Sequence, residues 1–384
     1  MKSKNYSIIS LYFSVFLIIS LLTAFFPLWL NKTLSLDPIY IGYILSVAGI
    51  FKALFTILLS LNIKKNIYLR SFLLCLVIFK VFLVFLIYIL QNYYLSKITL
   101  FISLIFIISF SPTLPLIETL YSDLVKKSEK KNYGKVRISG SISFCLGVFI
   151  FGYFINIHSI NIFPIIMTFC LTLLTISILT IPKNLKKIFF YNFEKFRTLL
   201  KKKTSIIYFI LICSLIQGTH AMYYGYSTIV WQNKSLNFFD IGILWSLAIF
   251  SEILIFMYIG NFFKPIYLQN TLIFCCVVTS VRWVFTYFVE NFYLLCMIQT
   301  LHGVTFALTH YIMIYFINLK LKEDLHIYAQ TIYYSITGGF FITIFTISCG
   351  YILSYFNSDE GYLLMSSFAF LSFIFLLYRK KIHD

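Results

Sequence analysis

Charge is what this chain has least of. Asp, Glu, Lys and Arg together make 11% of its 384 residues, against roughly 25% in an average soluble domain. Acids are scarcer still, 13 against 31 basic residues. A soluble globular domain is excluded, because nothing in such a composition would cover its surface. Cysteine offers no chemistry either. All eight Cys (75, 145, 170, 213, 275, 276, 296 and 349) fall in apolar segments without a Cys-x-x-Cys pair, so they read as small core residues. No phosphate-binding loop, no His/Cys metal spacing and no Ser nucleophile elbow occurs. The basic 126–137 loop has no Asp-x-x-Asp or His cluster for a membrane-embedded transferase. No enzyme activity, metal or cofactor is expected. The net charge of +18 sits in short loops rather than on one soluble face, which argues against a nucleic-acid partner.

What is present is hydrophobicity, at 60% of the chain. It recurs in runs of about twenty residues, each long enough to cross a hydrocarbon core of roughly 30 Å as a helix. In lipid a helix satisfies its own backbone polar groups, so the fold class is an all-α membrane protein. Twelve spans are predicted, near 8–30, 39–61, 70–91, 98–120, 136–157 and 161–182, then 205–230, 238–260, 266–287, 291–318, 328–355 and 361–378. Residues 1–7 are polar and basic, but the run after them is too long for a signal-peptide core, so it reads as a retained first helix. Lys and Arg crowd the N-terminus, the even-numbered loops and the tail, which puts both termini in the cytoplasm.

The longest loop, KNLKKIFFYNFEKFRTLLKKKT (183–204), divides the chain into bundles of six helices, 1–182 and 205–384. It reads either as a basic, aromatic segment on the anionic inner leaflet or as a solvated linker. An internal repeat supports the division. WLNKTL (29–34) recurs as WQNKSL (231–236), and IGYILSVAGIFK (41–52) as IGILWSLAIFSE (241–252), which sets Lys52 opposite Glu252. Parallel six-helix repeats are the pattern of the major facilitator fold.

Polar residues inside two of the spans are patterned. In the seventh span Gln217, His220, Tyr224, Ser227 and Trp231 share one helical face. Ser214, Gly218, Ala221 and Gly225 form a second face of small residues for close packing. The tenth span carries Gln299, His302 and Phe306 at the spacing of Gln217, His220 and Tyr224. Either these histidines bond neighbouring helices or they belong to a substrate or proton site. Lys52, Lys80, Glu118, Glu252 and Arg282 are the ionisable residues deep in spans. Each costs about 2.5–3.5 kcal/mol at a helix centre on insertion scales. Glu252 reads as a proton carrier or a structural ion pair, with Lys52 and Arg282 as counter-charges able to receive an anion. Lys80 reads as a snorkelling amine. Glu118, beyond Pro112 and Pro115, can pair with Arg137 as a gate or a structural lock. Ser139, Ser143 and Gly147, and likewise Gly338 and Gly339, read as helix packing.

QGTHAMYYGYSTIVWQ (217–232), YGKVRISGSISFCLG (133–147), SPTLPLIETL (111–120), VRW (281–283) and QTLHGVTF (299–306) resemble the phenylpropionate-permease branch of the major facilitator superfamily. The resemblance implies a central cavity lined by helices 1, 4, 7 and 10, alternating access, and proton-coupled uptake of a small aromatic carboxylate such as 3-phenylpropionate. The expected substrate wall is Gln217, His220, Tyr224, Gln299, His302 and Phe306, with Arg282 or Lys52 on the carboxylate. Lactose permease, a more distant relative, couples protons through an acid on helix 8, an Arg on helix 9, and a His and a Glu on helix 10. Glu252, Arg282 and His302 match three of these by helix. The helix-10 acid is absent, with Thr305 one turn beyond His302. The expectation is a monomeric proton symporter in a bacterial cytoplasmic membrane. A symporter of a neutral solute such as a sugar or nucleoside, and a receptor or scaffold that does not transport, are the alternatives.

Overall fold

The computed structural model describes residues 2–60, 67–93, 96–117, 133–181, 186–187, 204–262, 268–356 and 359–378. Within them twelve helices are long and apolar enough to cross a membrane. The first six are α1 (Ser7–Ala24), α2 (Pro38–Phe55), α3 (Arg70–Asn92), α4 (Ser96–Ile117), α5 (Ile138–His158) and α6 (Ile160–Leu179). Next come α7 (Ile206–Asn233), α8 (Phe238–Ile259), α9 (Leu268–Phe288), α10 (Phe292–Lys320), α11 (Tyr328–Phe356) and α12 (Gly361–Tyr378). All twelve coincide with the predicted spans to within six residues at either end, because length and hydropathy alone decide what can cross lipid. A two-residue antiparallel pairing of Ile67–Tyr68 with Lys186–Lys187 adds the only strands among the described residues.

Backbone contacts group the chain into two units, and the grouping interleaves the helices. Residues 1–37, 62–190 and 228–246 form the first unit; 38–61, 191–227 and 247–384 form the second. In the first unit α5 packs on α1 through its small residues. Ser143 donates to the Phe13 carbonyl, and a Cβ on Gly147 would run into the Ser20 side chain. In the second, the small face of α7 meets α11, as its spacing predicts. A Cβ on Gly218 would press on Phe341, one on Gly225 would touch Thr346, and Ser214 lies within hydrogen-bonding distance of Thr337. Gly339 closes on Ala53 of α2, whereas Gly338 faces open space.

The sequence repeat reappears as repeated packing. Gly42 of α2 lies against the α11 backbone at Thr346 and Ile347, and Gly242 of α8 lies against the α5 backbone at Val148 and Phe149. Ser46 donates to the Thr343 carbonyl, as Ser246 donates to the Cys145 carbonyl. Ser35 and Ser235 both take a left-handed backbone, with φ of 53° and 65°, in the turns that lead into these helices. A Cβ on Gly242 would sit 2.7 Å from the Val148 carbonyl oxygen, a backbone atom that cannot rotate away. Gly242→Ala is therefore expected to lower stability by about 1–3 kcal/mol, read as a fall in the detergent-solubilised unfolding midpoint.

Candidate functional site

α7 is not continuous. It runs as Thr204–Gly218 and Ala221–Asn233, with a tightened turn between them. There the His220 amide bonds the Gln217 carbonyl three residues back. The turn rotates His220 and Thr219 toward α9 and α10. α10 is interrupted at the same site. Its helix Phe292–Thr300 gives way to a π-helical stretch, Gly303–Leu308, directly after His302. Such wide turns often mark functional positions. Gly303 lets α10 approach α8, since a Cβ there would sit 2.6 Å from the Ser251 carbonyl oxygen. The Gly303 amide donates to Ser251 Oγ at 2.8 Å, next to Glu252.

These breaks converge on Arg282 of α9, which is fully buried. Its guanidinium donates to His302 Nδ1 at 2.8 Å, Thr305 Oγ1 at 2.8 Å and Gln299 Oε1 at 3.0 Å. The rings of Tyr223 and Trp283 lie 5.0 and 4.5 Å from its central carbon, at cation–π distance. Arg has donors only, so His302 Nδ1 must accept. The proton of a neutral His302 is then on Nε2, and Nε2 lies 2.8 Å from Glu252 Oε1. Arg282 thereby sets the tautomer that faces the acid.

The second histidine is oriented in the opposite sense. His220 Nδ1 lies 3.2 Å from the Gln217 carbonyl, to which it can only donate. Its Nε2 therefore accepts from Thr305 Oγ1, also at 3.2 Å. Thr305 links the histidines by taking a bond from Arg282 and giving one to His220. The two imidazole centroids are 5.4 Å apart. Gln217 donates to the Phe306 carbonyl at 2.9 Å, tying α7 to α10.

The structure thus brings Gln217, His220, Gln299, His302, Arg282 and Glu252 into one buried cluster. Tyr224 and Phe306 form its half-buried edge, and Phe306 stacks on His302 with centroids 5.3 Å apart. Lys52 is exposed on α2. Glu118 lies outside the described residues, and only the backbone of Arg137 is described, at the start of the α5 segment. Ser227 bonds Tyr362 of α12 at 2.6 Å. Lys80 does not snorkel: it is fully buried. Thr305, Tyr223, Trp283 and Thr219, which accepts the Trp283 indole N–H at 3.0 Å, complete the cluster. Thr305 and Trp283 lie in the QTLHGVTF and VRW motifs, whereas the sequence signal for Thr219 and Tyr223 is adjacency to His220 and Tyr224.

The arrangement has one imbalance. Among the described residues every hydrogen-bond acceptor on Arg282 is neutral, and no carboxylate bonds it directly. Arg282 Nε and Gln299 Nε2, both donors, are buried without acceptors. Buried donors of this kind are costly unless something accepts from them.

Comparison with known proteins agrees with this architecture. The chain is 25% identical over 349 residues to the "Probable 3-phenylpropionic acid transporter" of Escherichia coli (strain K12), covering 90% of each chain. It is 26% identical over 255 residues to the "Uncharacterized transporter YwbF" of Bacillus subtilis (strain 168), covering 65% of this chain and 63% of that one. The crystal structure of nucleoside transporter NupG superposes with a TM-score of 0.75 at 17% identity, over 99% of this chain and 100% of that one. A POT family transporter in complex with 5-aminolevulinic acid gives 0.73 at 11% identity, over 98% and 96%. Those two likenesses show the fold. Residues 5–364 match the MFS_1 like family, and the chain belongs to that family: it is a multi-pass membrane transporter of the major facilitator type and not an enzyme.

Proposed function

We propose that the chain is a proton symporter that imports a small aromatic carboxylate by alternating access. The carrying observation is the buried Arg282, bonded to neutral acceptors, with its own Nε and the neighbouring Gln299 Nε2 lacking acceptors. A carboxylate supplies the missing acceptors and the missing charge in planar, two-pronged form. The aromatic rings of Tyr223, Tyr224, Trp283 and Phe306 suit an aryl group next to it. The relative from Escherichia coli, by its name, points to the same solute class.

Coupling follows from the tautomer. A carboxylate that draws Arg282 toward itself loosens the bond to His302 Nδ1. That nitrogen is then free to take a proton, while Nε2–H stays against Glu252. Solute and proton therefore favour each other's binding, and the favour is reciprocal. Glu118 and Arg137 act as a gate or a structural ion pair. The division into 1–182 and 205–384 rests on the repeat. The working unit is a monomer, in a bacterial cytoplasmic membrane with both termini inside.

The test is uptake of radiolabelled 3-phenylpropionate into proteoliposomes with an alkaline interior. Accumulation that collapses with a protonophore, and that other aryl carboxylates inhibit while sugars and nucleosides do not, is expected. Uptake indifferent to the gradient, or inhibited by the neutral solutes alone, would overturn the reading.

A further inference from the structure

α3 buries one stripe, Leu73, Val77, Lys80, Val84, Ile87 and Gln91, at alternating spacings of four and three. Ile78, Phe79, Phe82 and Phe85 are exposed on its other side. Lys80 is in the middle of the buried stripe, ten residues into the span. Its Nζ donates to Thr113 Oγ1 of α4 and lies 5.1 Å from the Phe110 ring centroid. An ammonium carries three donors. Among the described residues its partners are that hydroxyl and that ring, and no carboxylate reaches it.

α9 has the same construction. Cys275, Thr279, Arg282 and Thr286 are buried at the same spacings. Lys80 and Arg282 stand 202 residues apart, as do Trp29 and Trp231 of the internal repeat. Each cation bonds a threonine on the following helix. Phe110 precedes Thr113 by three residues, as His302 precedes Thr305. Both threonines stand where regular helix is interrupted, by a turn at residues 111–112 and by the π-helical stretch of α10.

We propose that Lys80 and Thr113 form a second carboxylate site, the repeat counterpart of Arg282 and Thr305. Lys80 presents its remaining N–H donors, and Thr113, already accepting from Lys80, presents its hydroxyl proton. The two sites differ in one respect. Phe110 replaces His302, and Lys52 stands opposite Glu252 in the repeat, so the site in the first half binds an anion without a proton relay. Only the class of the anion rests on the function proposed above.

The experiment is equilibrium dialysis of the purified protein with radiolabelled 3-phenylpropionate at saturation, alongside thermal unfolding. Two molecules bound per chain are expected, one after Lys80→Met, one after Arg282→Ala and none after both. Lys80→Arg keeps both sites, and Glu252→Gln leaves the Lys80 site intact. One molecule per chain, unaffected by Lys80→Met, overturns the proposal and leaves the Arg282 reading standing. Loss of the second molecule in Lys80→Arg as well as Lys80→Met, with a lowered unfolding midpoint, also overturns it in favour of a packing role. Unchanged binding in Arg282→Ala instead removes the Arg282 reading alone.

Discussion

Arg282→Lys is expected to fold and to lose roughly tenfold to a hundredfold in affinity for an aryl carboxylate. Lysine keeps the charge but replaces a planar fork with a point donor. It cannot hold Gln299 and Thr305 while also meeting both carboxylate oxygens. One lost hydrogen bond to a charged group is worth about 1.5–3 kcal/mol, and 1.4 kcal/mol is a factor of ten in affinity. Arg282→Ala is expected to abolish binding at this site and also to lower stability, because three buried acceptors lose their donor. Isothermal titration on the lysine variant separates the two effects. Wild-type affinity there, with a normal unfolding midpoint, would remove Arg282 from the substrate site.

Glu252→Gln is expected to abolish gradient-driven accumulation while leaving exchange of labelled for unlabelled solute intact. For one proton per solute, each pH unit of gradient is worth 1.36 kcal/mol, about tenfold accumulation. Glutamine keeps the size of the side chain and an acceptor for His302 Nε2–H, but it cannot stabilise a charged imidazolium 2.8 Å away. The accumulation ratio should therefore fall to about one, since without a coupled proton the solute only equilibrates. Both assays belong on the same proteoliposome preparation. Accumulation retained in full would relocate coupling to another group, and loss of exchange together with accumulation would assign Glu252 to binding instead.

Much of the site was legible in spacing. The shared Gln-x-x-His pattern on α7 and α10 drew attention to four residues that do lie in one buried cluster. The pattern did not reveal that the two glutamines do different work. Gln217 ties two backbones together, while Gln299 accepts from Arg282. Lys80 is the opposite case: hydropathy allowed a snorkelling amine, and packing of α3 on α4 put the amine against Thr113.

The twelve spans, their packing faces and the repeat were determined by the sequence itself. Crossing lipid requires only a run of apolar residues of sufficient length, and a small-residue face is local and periodic. Only the tertiary structure decided which donor meets which acceptor. The turn at His220 and the π-helical stretch after His302 rotate side chains off the faces a regular helix would give them. From that follow the tautomer of His302 and the neutral shell around Arg282, while the packing of α3 on α4 sets Lys80 against Thr113. Hydrogen bonds are short and directional, so they depend on where helices far apart in the chain come to rest.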